Sequence, residues 1–476
     1  MDTNQFRKYG HEMVDWIADY MDNIEEYPVY PDIQPGQIKA KLPKEAPLKG
    51  EKMEDIFKDF QKVILPGITH WQHPCFFAYF PANNSPPSIL GELLSAGLGV
   101  QCMIWKTSPA AEELEEVTVE WLRKMISLPE GMVGVIQDSA STSSLVALIA
   151  AREKISDFSI NKKGFKESLI VYCSKEAHSS ITKGAKIAGY GLENIRLTPI
   201  DDNFAMIPEK LEEMILKDEN EGKKPAFVCA TLGTTSSASV DPLEKIGKIC
   251  KKHGIWLHVD AAYAGTAAIL PEKKWIMRGT EYSDSFVFNP HKWLMTNFDC
   301  SVLFVKDTTN LKKTFEIHPE YLKTDVDLKV NNYRDWGIQL GRRFRALKLW
   351  FVLRSYGVEG LQKIIRKHIQ LTQMLKQLIE DDQRFKIMAP VEFSLLCFRL
   401  NPTNKSEKQI DIMNRKLLEN VNKTGKTLLT HTKLNGKYVI RFCIGQRTTK
   451  EKHVFDTWKL ITRETEKILS AHNYKD

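Results

Sequence analysis

Ile255-Trp256-Leu257-His258-Val259-Asp260-Ala261-Ala262-Tyr263 runs from apolar residues into a single carboxylate and then into small ones. An apolar run of this length reads as a strand covered on both faces. Outward from it the pattern recurs at 133–137, 168–173, 195–200, 226–232, 285–288 and 301–305, with helical spacing between several of the runs. The helix after 226–232 is expected to start at Asp241-Pro242, a capping residue followed by proline at the first helical position. Strands alternating with helices predict an α/β layer around a mostly parallel sheet.

On the N-terminal side Phe6, Met13, Val14, Ile17, Ala18 and Met21 recur at helical spacing, with Thr3 or Asn4 as the expected cap. A second amphipathic helix carries Met53, Ile56, Phe57 and Phe60 and stops at Pro66-Gly67. Past 340 the order is long helix, strand, helix, hairpin, helix, with Asn435-Gly436 as a two-residue hairpin turn. The expected domains are 1–85, helical; 86–345, α/β; and 346–476, a smaller α+β unit.

Composition narrows the function. The 476 residues are 42% hydrophobic and 27% charged, which excludes a disordered chain, a collagen-like rod and a coiled coil. No apolar run approaches the roughly 20 residues that span a bilayer, and the N-terminus lacks a signal-peptide pattern. The eight cysteines form no C-x-x-C pair, so reduced thiols in a cytoplasmic protein are expected, with no metal site. The net charge of +7 arises between 401 and 450, where 11 basic residues face 3 acidic ones. They are scattered, without an aromatic stripe, and read as a solvated surface and not as a nucleic-acid site.

Three features of the middle layer bear on chemistry. Ser139-Ala140-Ser141-Thr142-Ser143-Ser144 precedes an apolar helix, where backbone N–H groups and hydroxyls suit a phosphate, although a plain N-cap looks the same. Asp260 stands where open α/β sheets bind ligands, or else caps the turn that follows. Lys292, in Asn289-Pro290-His291-Lys292-Trp293, is set among groups that would strip its hydration and suit it to a Schiff base; the alternative is a snorkelling surface lysine. Pyridoxal phosphate needs all three: a lysine for its aldehyde, a carboxylate for its ring nitrogen and a cradle for its phosphate. His178, in Glu176-Ala177-His178-Ser179-Ser180, fits a ring-stacking imidazole or an ordinary capping histidine.

Taken in order, the motifs carry a resemblance. They include Pro66-Gly67-Ile68-Thr69-His70-Trp71, Phe76-Phe77-Ala78-Tyr79-Phe80-Pro81, Ala230-Thr231-Leu232-Gly233-Thr234-Thr235, the Asp260 and Lys292 segments, and Leu340-Gly341-Arg342-Arg343-Phe344-Arg345. Over essentially its whole length the sequence resembles the aromatic L-amino acid decarboxylases among the pyridoxal-phosphate group II decarboxylases. The resemblance implies an aspartate aminotransferase-like (fold type I) α/β architecture. It also implies a homodimer whose active sites lie at the subunit interface, with the N-terminal helices wrapped over the partner.

Position by position, the resemblance makes Lys292 the Schiff-base lysine, Asp260 the partner of the ring nitrogen and His178 the stacked imidazole. Ala262 would pack beneath the ring and Thr235 would bond its hydroxyl. Ala140, Ser141, Asn289 and His291 fall where the family holds the phosphate and nearby groups. The aromatic amino acid substrate would meet Trp71, Tyr79, Phe80 and Pro81, together with Gln101, Met103, His178 and Gly341.

Tyr321 matches a mobile-loop tyrosine that protonates the substrate Cα once CO₂ has left. Aldehyde-synthase relatives typically carry phenylalanine there, or a change at the His178 position, and the carbanion then meets O₂. Both residues here are the decarboxylase types. Gly341 matches indole-accepting members, so tryptophan or 5-hydroxytryptophan is the favoured substrate, ahead of tyrosine, DOPA and phenylalanine. Asp138, Gln101, Cys102, Met103 and Ala82 depart from the pattern of animal members and leave the substrate open.

Overall fold

The computed structural model describes residues 1–317 and 329–473, with side chains to residue 470. They divide into two compact units. One comprises Met1–Pro81, Gln373–Met388 and Cys397–Asp476; the other comprises Ala82–Thr372 and Ala389–Leu396.

The larger unit is built on seven strands: β1 (Val133–Gln137), β2 (Leu169–Ser174), β3 (Ile195–Thr198), β4 (Lys224–Thr231), β5 (Trp256–Asp260), β6 (Ser285–Phe288) and β7 (Ser301–Val305). Their order across the sheet is β1-β7-β6-β5-β4-β2-β3. Every pairing from β6 to β3 is parallel, while β7 runs antiparallel to both β6 and β1. Burial explains the apolar runs: every residue of β2, β5, β6 and β7 is buried. Helix Ala140–Ile155 covers one face with Val146, Ala147, Leu148, Ala150 and Ala151, packed with Val135, Val171, Phe227, Val287 and Leu303. Each fully buried large side chain of this kind contributes about 1.5–3 kcal/mol.

Two caps differ from expectation. The first helix, Thr3–Asp22, is capped by Asp2 and not by Thr3 or Asn4. The helix after β4 spans Leu243–His253 and has no side-chain cap at Pro242. Asp241 is instead fully buried, accepting the N–H groups of Thr231 and Met206 at 2.7 Å each. Two strong donors from other parts of the chain outbid the helix terminus, and burial pushes the Asp241 carboxyl up to about 6.

In the smaller unit, Trp16 of the first helix packs edge-on against Phe57 and Phe60, while Phe6 and Val14 remain exposed. A second sheet comprises β8 (Phe385–Ile387), β9 (Leu395–Leu400), β10 (Thr430–Leu434) and β11 (Lys437–Cys443), in the order β10-β11-β9-β8. The β10–β11 hairpin turns at Asn435 and Gly436, both at positive φ, as a two-residue turn of this hand requires. All eight cysteines are unbridged. No helix among the described residues is long and apolar enough to cross a membrane.

Candidate active site

The carboxyl ends of the parallel strands bring the chemistry together in the larger unit. β5 ends at Asp260, which is buried and accepts the N–H of Ala262 through Oδ1 at 3.0 Å. That bond is the turn-capping role the sequence allowed, and it fixes one carboxylate oxygen. β6 leads through Asn289 into the short helix Pro290–Trp293, which carries Lys292. Trp293 is fully buried, stacked on Tyr263 at 4.8 Å and donating its indole N–H to His368 Nδ1 at 2.9 Å. Lys292 is thereby held on a rigid neighbour.

His178 caps helix Ser179–Ile187 through Nδ1, which accepts the Ser180 N–H at 3.2 Å. An Nδ1 that accepts puts the ring proton on Nε2. Burial lowers the His178 pKa, with the Asp260 charge opposing the shift and the Lys292 charge adding to it. The capping reading holds, and the cap orients an imidazole that lies within electrostatic reach of Asp260 and Lys292.

His291 is arranged in the same way. Its Nδ1 accepts the Cys300 N–H at 2.8 Å, leaving Nε2–H to donate, and burial drives its pKa down to about 3. Ser139 caps Ala140–Ile155 by accepting the Thr142 N–H, so the Ala140 and Ser141 N–H groups open the helix without a carbonyl one turn back. Thr235 follows β4 in a turn pinned by Gly233 and Thr234 N–H bonds to the Ser239 carbonyl, each 2.9 Å. Gly233 is required there: φ is +89° and an added Cβ would lie 2.6 Å from the Ala264 methyl.

Pyridoxal phosphate fits this donor set: a buried carboxylate, a lysine, an N–H-donating neutral imidazole and a helix start rich in hydroxyls. Asn289 Oδ1 is buried without a hydrogen-bond partner, which a carboxamide at a ligand site explains. One contributor escaped the sequence reading. Asn83 Nδ2 donates to the Lys292 carbonyl at 2.8 Å, and its N–H donates to the His291 carbonyl at 3.2 Å. In sequence, Asn83 only precedes a proline-started helix and looks like turn chemistry.

The residues expected to meet substrate fall into two groups. In the smaller unit the exposed rings of Trp71 and Tyr79 stack at 5.6 Å, the Arg441 guanidinium lies 5.4 Å from the centre of the Phe80 ring, and Pro81 is buried. In the larger unit the Arg342 N–H donates to Gln101 Oε1 at 2.6 Å, and the Met103 carbonyl accepts the Arg334 N–H at 2.9 Å. A Cβ at Gly341 would lie 3.3 Å from Gln101 Nε2. Tyr321 lies outside the described residues.

Residues 35–401 match the model of the pyridoxal-dependent decarboxylase conserved domain. The chain belongs to this family. Members are carboxy-lyases that use pyridoxal phosphate, so the enzyme class and cofactor follow. Among curated relatives, this decarboxylase-family chain is 48% identical to a phenylacetaldehyde synthase of Arabidopsis thaliana, covering 98% of this chain and 97% of that protein. It is 45% identical to tryptophan decarboxylase 2 of Oryza sativa subsp. japonica, covering 98% and 96%. The solved structure of Oryza sativa TDC with PLP and tryptamine superposes with a TM-score of 0.95 at 37% identity, covering 98% and 99%. The family branch is thus that of aromatic amino acid decarboxylases and aldehyde synthases.

The two buried imidazoles predict an acid response. His291 and His258 are held down to about 3 and about 4, against about 6.5 in an unfolded chain. Their neutral forms contribute stability that is fully present above pH 6.5 and is lost as pH falls toward 4, because the unfolded chain then binds more protons. Each should steepen the loss by about 1.4 kcal/mol per pH unit. The raised Asp241 carboxyl acts in the opposite sense as pH falls, so the test is a difference. The urea midpoint of a His258→Asn variant should fall less between pH 7 and pH 5 than the parent's, and equal falls would contradict a neutral His258.

Proposed function

We propose that the protein decarboxylates aromatic L-amino acids to the corresponding arylalkylamine and CO₂, with tryptophan or 5-hydroxytryptophan as the favoured substrate. The observation that carries this reading is the convergence of His178, Asp260 and Lys292 at one end of the parallel sheet. Bound pyridoxal phosphate would supply an electron sink for the charge left at Cα when CO₂ departs.

The chain's own groups do the rest. Lys292 would hold the cofactor aldehyde, and Asp260 would keep the ring nitrogen protonated. The neutral His178 would offer its Nε2 proton beside the ring. Ala262 would support the ring, and Thr235 would bond its hydroxyl. Ala140 and Ser141, with Asn289 and His291 Nε2–H, would hold the phosphate. Tyr321 would deliver the proton to Cα. Trp71, Tyr79, Phe80 and Pro81 would meet the substrate ring, with Gln101, Met103 and Gly341. The exposed Phe6 and Val14 on the first helix support a homodimer in which that helix covers a partner. The family chemistry fits a cytoplasmic enzyme.

The similarity to a phenylacetaldehyde synthase favours a second reading, in which the protein oxidises the same substrates to aldehyde, ammonia and peroxide. Incubating the protein with pyridoxal phosphate and each aromatic amino acid, and quantifying amine and peroxide together, separates the two. Amine without peroxide is expected; peroxide equal to the CO₂ released would overturn the decarboxylase reading. Gly341→Ser should lower kcat/KM for tryptophan by roughly tenfold relative to phenylalanine, because the added side chain presses on Gln101 beside the ring. An unchanged ratio would place the indole elsewhere.

A further inference from the structure

Beneath the candidate site lies a set of buried polar groups that the reaction does not use. Trp256 Nε1 donates to Ser285 Oγ at 2.8 Å, Ser285 Oγ lies 2.8 Å from His258 Nδ1, and His258 Nε2 lies 3.1 Å from Ser144 Oγ. All four residues are buried, His258, Ser144 and Ser285 completely. An indole N–H can only donate, so Ser285 accepts at that end. The assignment that uses every proton gives the Ser285 hydroxyl hydrogen to His258 Nδ1 and the imidazole hydrogen, on Nε2, to Ser144.

The chain has a particular position. Ser144 lies one helical turn, about 5 Å, beyond Ser141 on the helix whose start is offered to the phosphate. His258 precedes Asp260 by two residues on β5, so both side chains leave the same face about 7 Å apart. A bond from Ser144 to His258 therefore joins the two elements that would hold opposite ends of pyridoxal phosphate. Ser285 continues the tie onto β6, the strand that leads to Lys292. Next to Ser144, Ser143 Oγ meets Ser301 Oγ of β7 at 3.3 Å, a second tie from the same turn.

We infer that the Ser144–His258–Ser285–Trp256 chain sets the spacing between the phosphate end and the ring-nitrogen end of the cofactor cradle, making these four positioning residues for pyridoxal phosphate. The inference rests on the roles read above for Ser141 and Asp260. A neutral imidazole suits the task, because a cation two residues from Asp260 would compete with the ring nitrogen for its charge. Packing alone would not need the hydroxyls, since His258 also stacks on Phe227 with ring centres 5.6 Å apart.

The test titrates apoprotein with pyridoxal phosphate and reads the dissociation constant. Ser144→Ala removes one bond and almost no volume, and should weaken cofactor binding roughly tenfold, or about 1.4 kcal/mol. Ser144→Thr restores the hydroxyl and should bind within about twofold of the parent. Parent-like affinity in Ser144→Ala, or a threonine variant as weak as the alanine one, would overturn the proposal. Asp260→Asn, measured alongside, separates the two levels of the argument. If it binds cofactor and turns over normally, the site reading fails and the spacing argument falls with it. If it is impaired while Ser144→Ala binds normally, the spacing argument alone is wrong.

Discussion

Lys292→Ala is expected to yield folded protein that shows no visible absorbance of lysine-bound cofactor and turns over at least about a thousandfold more slowly. The backbone at this position is held independently of the side chain. Asn83 binds the Lys292 carbonyl, the Lys292 N–H reaches the Asn289 carbonyl at 3.0 Å, and Trp293 is locked behind. Truncation to alanine should thus remove the amine while leaving the cradle standing, so the phosphate end can still bind cofactor weakly. Spectra of the dialysed variant, with circular dichroism to check folding, decide the matter. Normal visible absorbance would mean that another amine carries the cofactor.

Tyr321→Phe should change the product more than the rate of CO₂ release. A positioned general acid is worth roughly 10²–10⁴-fold, so amine formation should fall within that range. The charge at Cα, left without a proton, becomes available to O₂. One O₂ and one water per substrate then give aldehyde, CO₂, ammonia and one peroxide. Peroxide should rise from near zero toward the CO₂ released, measured in the same reaction. An unchanged ratio of amine to peroxide would take the proton-delivery role away from Tyr321.

The sequence conveyed the sheet well because both of its faces are covered. Strands such as β2 and β5 must be apolar throughout, and a continuous run is easy to read against polar connections. Candidate site residues were easiest to propose where one side chain is asked for one job, as with Lys292. They were harder where a residue is asked for two, as with His178, whose helix cap and proposed ring placement share a single imidazole. Asp241 misled because Asp-Pro before a helix has a strong local meaning, and the N–H groups of Thr231 and Met206 that claim it come from elsewhere in the chain. Asn83 and the His258 chain stayed hidden for the same reason: their partners, the 291–292 backbone and Ser144, are distant in sequence.

The single reversed strand in the large sheet bears on how the protein is made. β1 leads directly into the helix proposed to hold the phosphate, yet among the described residues its only strand neighbour is β7, with Val133 opposite Val305. During synthesis, β1 leaves the ribosome long before the strand that will hold it. Until residues 301–305 emerge, its backbone groups have no sheet to join, and closing so long a loop is slow. The part of the cradle that begins earliest in the chain is therefore completed late, and cofactor capture must wait for nearly two-thirds of the polypeptide. A nascent chain stalled before β7 would expose an unpaired apolar edge, the kind of edge that invites aggregation.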